Sequence, residues 1–453
     1  MKVAYYRAKD PAQVAARKDS GPSCSLEHAP LSISAQLLRP YLDLSPFSVG
    51  PIHALGVECA YQMMAAPGSE RVPSQTHMPC GLRKALTQES GLAQYAVETP
   101  QELHPALRTE RWRHLLARID QFPTLSAEEQ LRVAILLDRL GFFATIIQLV
   151  PEMDNETFLK NASLASLAII RARSQKMVHN GIEQQRRYIA ILEKVACHAS
   201  EHLYLNLGAA IALVVQNVKT KPGKLSQVGY WAEVAAGYYR RLQPESGGMD
   251  TLYASLYWRA VSFNPFIAGD KASTKAHLDL AERFAFAFVA GNELEEIAAK
   301  ETIYPLLETR SKEAIWQKDL DLALERAQAL RAYDPYDPKV FLQLGDIFLL
   351  RNQYTDALQA YRQAARLGVP CTAFSWFMIG YCLEALGDYD AACDAYLIAI
   401  KLDPRGITSV KHLIHVAERR NDLLLVNWGK GLMEQFSRNV AEIRSGAMEN
   451  VLC

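Results

Sequence analysis

The chain predicts an all-α fold of stacked helical hairpins behind an irregular N-terminal region. Three observations carry this. From residue 101 onward apolar residues recur at helical spacing, and no stretch shows convincing strand alternation. Short breakers separate the periodic segments, as helix-to-helix connections require. Near the C-terminus a segment repeats itself at an offset of 35 residues.

Residues 1–100 hold ten of the 21 prolines, from Pro11 to Pro100. That density leaves room for short helices only, at Ile33 to Leu42 and Ile52 to Ala65. The region reads as an irregular lead-in. Ser126 to Glu129 then form a capping box ahead of Leu131, Val133 and Leu137, and Gly141 closes that helix. Further helices are expected at about 155–174, 182–198, 201–217, 225–242, 250–263, 272–290, 293–316 and 319–333. The breakers are Gly181, Lys221-Pro222-Gly223, Pro244 with Gly247-Gly248, Pro265 and Gly291.

The repeat decides between a bundle and a solenoid. Phe341, Leu344, Gly345 and Phe348 align with Trp376, Ile379, Gly380 and Leu383. In the helix that follows, Tyr354, Ala357, Tyr361 and Ala364 align with Tyr389, Ala392, Tyr396 and Ala399. The second copy also has Gly387 at its turn and ends in Asp403-Pro404. This pattern resembles the tetratricopeptide repeat family, clearly over about residues 336–404. Glycine and alanine stand where paired helices cross, and aromatics fill the space between hairpins. A weaker copy upstream has Ser311 in place of the glycine, and one downstream, over about 406–438, has Ile414. The expected organisation is therefore a Pro-rich region at 1–100, a repeat-like helical domain at 101–300, a repeat domain at 301–440 and a tail at 441–453.

The resemblance implies a concave groove lined by the first helix of each hairpin, seating a protein or peptide segment. The residues it places there are Leu342, Asp346 and Leu349, then Phe374, Phe377, Tyr381 and Glu384, then Lys411, His415, Glu418 and Arg419. Chaperone-binding members grip a carboxylate with Lys and Asn at positions that hold Leu342, Asp346, Phe377 and Tyr381 here. The departure argues against that ligand.

Other readings compete. His198-Ala-Ser-Glu201-His202 fits a zinc-protease pattern if one helix carries both imidazoles, with Glu282, Glu293 or Glu295 as third ligand. Residues 1–300 would then house an enzyme or maturation factor with the repeats as its substrate dock. Ser200 and Glu201 equally fit a junction between two helices. His412 and His415 share a helix face three residues apart. Basic runs at Arg108 to Arg118, around Trp112, and at Lys219 to Lys224 read as solvated faces, as does the acidic opening at Glu293, Glu295, Glu296 and Glu301. Lys plus Arg and Asp plus Glu both number 49, so net charge supplies no reason to expect nucleic acid.

Eight cysteines form no CxxC pair, which points to packing residues rather than a zinc or disulfide framework. The most apolar run, Leu203 to Val215, is shorter than the roughly 20 residues of a membrane-spanning helix. Met1 to Asp10 lacks a signal-peptide core, so the cytoplasm is the expected location. No phosphate-binding or serine-hydrolase motif is present, so no cofactor is expected and the chain leans away from enzyme chemistry. The leading expectation is an adaptor that holds a partner.

Overall fold

The computed structural model describes residues 99–449, except 104, 106–107, 180, 199–201, 221–224, 292, 336, 368–371 and 405. The helices expected before residue 99 and most of the lysine run lie outside the described residues. So do Cys24, Cys59, Cys80, Cys371 and Cys453. Among the described residues the regular structure is helical, and no helix is long and apolar enough to cross a membrane.

The chain enters at α1 (Glu110–Asp120). Trp112 is wholly buried there and its ring N–H donates to the Pro100 carbonyl at 3.1 Å. This tryptophan is therefore a core residue and offers no stacking face to a base. α2 (Ala127–Leu140) starts at the expected capping box: the Ser126 and Glu129 side chains bond each other's backbone N–H. Gly141 ends it with φ +82°, a left-handed value that costs glycine nothing. α3 (Phe143–Leu149) returns against it.

The helix expected at 155–174 is two. α4 (Asn155–Phe158) is separated from α5 (Ala162–His179) by Asn161, whose side chain accepts the Leu164 N–H at 2.9 Å. Asparagine bonded this way restarts a helix rather than continuing one. α6 (Ile182–Cys197), α7 (Leu203–Thr220) and α8 (Leu225–Tyr239) follow. Together α5 to α8 enclose a core that includes Leu192, Leu207, Leu213 and Trp231.

α9 (Met249–Val261) passes through Ser262 into a short α10 (Phe263–Ile267) that contains Pro265, so this proline sits inside a helix rather than between helices. α11 (Lys271–Ala287) ends three residues before the expected stop.

Eight helices complete the chain in four antiparallel pairs: α12 (Glu293–Gln317) with α13 (Leu320–Tyr333), α14 (Pro338–Leu350) with α15 (Tyr354–Leu367), α16 (Thr372–Ala385) with α17 (Tyr389–Leu402), and α18 (Ile407–Arg419) with α19 (Leu423–Glu449). Each packs on the next in sequence, the pattern of a solenoid. The expected border at residue 300 lies within α12, and α19 runs on into the stretch read as a tail.

A feature invisible to the apolar pattern fixes the register. The turn inside each of the four pairs contains one left-handed residue: Lys318 (φ 68°), Asn352 (φ 59°), Gly387 (φ 80°) and Asn421 (φ 54°). Asp319, Asp388 and Asp422 come directly after three of them and accept backbone N–H groups of the following helix. A left-handed residue followed by an N-cap reverses the chain within two residues.

Charged side chains join the first pair to what precedes it. Arg310, 4% exposed, reaches Asp279 and Glu282 of α11 at 2.7 and 3.0 Å, and Glu313 of its own helix at 2.7 Å. Arg326 of α13 also pairs with Glu313, at 3.0 Å. Farther back, Arg139 of α2 meets Glu301 of α12 at 2.7 Å. Glu301 thus serves a tertiary ion pair and not the helix opening, a role that falls to Glu295, which accepts the Gly291 N–H.

Candidate functional site

The first-helix face of the repeat pairs depends on how closely the second helices approach beneath it. A Cβ built on Gly345 would stand 2.6 Å from the Tyr361 ring, and one on Gly380 would stand 2.6 Å from the Tyr396 ring. Both tyrosines are wholly buried, so each ring lies directly on a glycine. The fourth pair reverses the sizes: Ile414 occupies the glycine place, and Gly429 on α19 receives it, with a built Cβ 2.6 Å from Ile414. In the first pair Ser311 is small enough to serve, and its hydroxyl donates to the Ala323 carbonyl at 3.0 Å.

The tyrosine hydroxyls emerge on the first-helix face and meet carboxylates there. Tyr361 donates to Asp346 and Tyr396 to Glu384, each at 2.6 Å. Burial first, and then these bonds, push both phenols well above their ordinary range. Atoms crowding the Asp346 carboxyl likewise raise its pKa, against the lowering effect of the Tyr361 bond.

Around Glu384 the face becomes a cluster. His412 Nδ1 lies 3.0 Å from one carboxylate oxygen, and His415 Nε2 lies 3.7 Å from the other. The His412 ring stands edge-on to Phe377 at 5.4 Å and to Tyr381 at 5.9 Å. Phe374 follows at 6.4 Å from Phe377. This face of α16 therefore meets α18 through residues named from the repeat pattern, while Phe374 and Tyr381 stay 45% and 38% exposed.

Most of the expected lining is thus brought together: Phe374, Phe377, Tyr381 and Glu384 on α16, beside His415 on α18. Asp346 and Lys411 are exposed on the flanking helices. Leu342 departs from expectation. It is 8% exposed and belongs to the core cluster that includes Leu358 and Tyr361 of α15, so its side of α14 faces inward. His412, read as one of a pair without further partners, is the hub that joins α16 to α18. No local pattern reveals this role, because its bonds reach Glu384, 28 residues away.

The zinc-protease geometry is not formed. His198 caps the end of α6 with extended backbone, and His202 precedes α7, so the two imidazoles do not share a helix face. Glu201 lies outside the described residues. The His198 carbonyl accepts from Asn206 at 2.6 Å, which fits the junction reading of this segment. Among the described residues no three His, Cys, Asp or Glu side chains group to hold a metal ion.

Sequence comparison decides the identity of the repeats. A family profile described as tetratricopeptide repeat matches residues 311–370 and 342–407. Residues 311–407 are tetratricopeptide repeats. The match takes in the degenerate Ser311 pair as well as the two clear tetratricopeptide copies. No curated protein matches the chain. Among solved structures, MamA 41-end from Desulfovibrio magneticus RS-1 is 17% identical with a TM-score of 0.33, over 41% of this chain and 96% of its own. YrrB, described as a TPR protein with an unusual peptide-binding site, is 15% identical with a TM-score of 0.31, over 49% of this chain and 94% of its own.

Proposed function

We propose that the chain is an interaction scaffold and that a protein or peptide segment docks on the tetratricopeptide first-helix face across α14, α16 and α18. One observation carries the proposal: Phe374, packed on Phe377, and Tyr381, packed on His412, expose large aromatic surface beside a polar cluster. Aromatic side chains give contact area at low entropy cost and are enriched among residues that dominate binding energy. Asp346 on α14 and Lys411 on α18 flank them, with Glu384 and His415 between, a polar surround of the kind partner surfaces have. The repeat pairs α12 to α19 supply the dock, and the helices α1 to α11 form the body that carries it.

The test is a Phe374→Ala/Tyr381→Ala double variant of the full chain. Both residues are substantially exposed, so thermal unfolding should stay close to wild type. A partner identified by affinity capture and mass spectrometry, then purified, should bind the variant at least tenfold more weakly, about 1.4 kcal/mol. Unchanged affinity for that purified partner would remove this face as the dock.

A further inference from the structure

Resting on that docking reading, we infer that the occupant is an extended segment of mixed charge, with a basic residue over α14, an apolar residue at α16 and an acidic residue over α18. Exposed charges on this face that lack an oppositely charged partner set the pattern. Asp346 is exposed and its hydrogen bond comes from the neutral Tyr361 hydroxyl, so its negative charge is not cancelled by that partner. Lys312, the cation whose field reaches the Asp346 carboxyl, is engaged by Glu308 on its own helix. At the centre, the Glu384 side chain is only 18% exposed and its carboxylate is already occupied by Tyr396, His412 and His415. At the far side Lys411 is exposed and makes no ion pair with a described residue, whereas Glu418 is met by Lys430 at 3.6 Å. The face therefore runs from negative, through aromatic, to positive.

Geometry sets the spacing of the partner's residues. Neighbouring helix axes lie about 8–10 Å apart, so α14 to α18, two hairpin steps with α16 between, is about 20 Å. An extended chain advances about 3.3 Å per residue, so the two charged residues stand six apart with the apolar one midway. Either chain direction satisfies this arrangement. Like charges set against Asp346 or Lys411 would be repelled, which excludes uniformly acidic and uniformly basic segments more than it tightens the correct one.

The test uses the full chain and three pools of fluorescein-labelled peptides with blocked termini. They share a central leucine and degenerate neutral positions, and carry Arg and Glu, two Arg, or two Glu at the ends. Fluorescence anisotropy should rank the mixed pool first, by about two- to fivefold, the range of an exposed charge pair. Asp346→Asn, which keeps an acceptor for Tyr361, should bring the mixed and double-Glu pools level. Lys411→Glu should move the preference to the double-Arg pool. If ranking ignores both changes while Phe374→Ala/Tyr381→Ala abolishes binding, the charge assignment fails and the dock stands. If the aromatic variant also binds normally, both fail. Absence of binding by all three pools overturns the charge assignment.

Discussion

Gly380→Ala isolates the contact on which the repeat packing depends. The new methyl carbon would lie 2.6, 2.7 and 2.9 Å from three atoms of the Tyr396 ring. The ring cannot swing aside easily. It is wholly buried, its hydroxyl is bonded to Glu384, and Phe377 and His412 flank it at 5.8 and 5.5 Å. Overpacking of this kind costs about 1–3 kcal/mol, while alanine recovers about 0.8–1 kcal/mol of helix propensity over glycine. The expected net loss is about 0–2 kcal/mol, up to roughly 4–8 °C in a unit of 150–250 residues. Thermal and urea unfolding of the full chain, followed by circular dichroism, measure it. The sign should invert once the ring is gone: in a Tyr396→Ala background, Gly380→Ala should stabilise through propensity alone. A double-mutant cycle without coupling between Gly380→Ala and Tyr396→Ala refutes the steric account.

Other expectations follow the same logic. Gly387→Ala places an L side chain at φ 80° and should cost about 1–2 kcal/mol, while Lys318→Gly relieves the same strain and should be neutral or stabilising by up to about 1 kcal/mol after the added chain entropy; chemical denaturation reads both. Arg310→Met leaves Glu313, 5% exposed, without its closest cation, and should cost about 3–5 kcal/mol; adding Glu313→Gln should restore part of that loss. The hydrogen bond from Arg118, with that from Ser126, holds the Glu129 carboxyl down at about 2. A depressed acid stabilises the fold above its ordinary value of 4.5 and loses that contribution as pH falls from there through about 2. Urea midpoints between pH 6 and pH 2.5 should therefore fall less steeply for Glu129→Gln than for wild type.

The fold was legible where one side chain reports one requirement. Gly345, Gly380, Ala357 and Ala392 stand out because helix crossings demand small residues, and the capping box at Ser126 is a local hydrogen-bond device written in four consecutive positions. The Asn161 break was not legible, since asparagine is tolerated in helices and only its bond to the Leu164 N–H turns it into a start. The candidate face was half legible. Phe374, Phe377, Tyr381 and Glu384 follow from one helix and its period. The placing of His412 against Glu384 depends on a contact between helices. Leu342 holds a groove position in the repeat pattern, yet it is buried in the core. A usable signal was overlooked at the turns, where Lys318-Asp319, Gly387-Asp388 and Asn421-Asp422 recur at matching places.

Those turns explain how the outer pairs keep the repeat geometry after losing its signature residues. Each pair must meet two conditions: a reversal between its helices, and one small residue at their crossing. The reversal is local, and lysine or asparagine can supply it with some strain where glycine would supply it freely. The crossing condition concerns the sum of two facing side chains, so the small partner can sit on either helix. Gly380 under Tyr396 and Gly429 under Ile414 meet it from opposite sides. A search for glycine on the first helix alone therefore reads the fourth pair as degenerate when its packing is complementary. Exchanging the two residues, Ile414→Gly with Gly429→Ile, should consequently be less damaging than Gly429→Ile alone, because only the single variant sets two large side chains at one crossing. Equal destabilisation of the two proteins would show that the crossing tolerates no exchange.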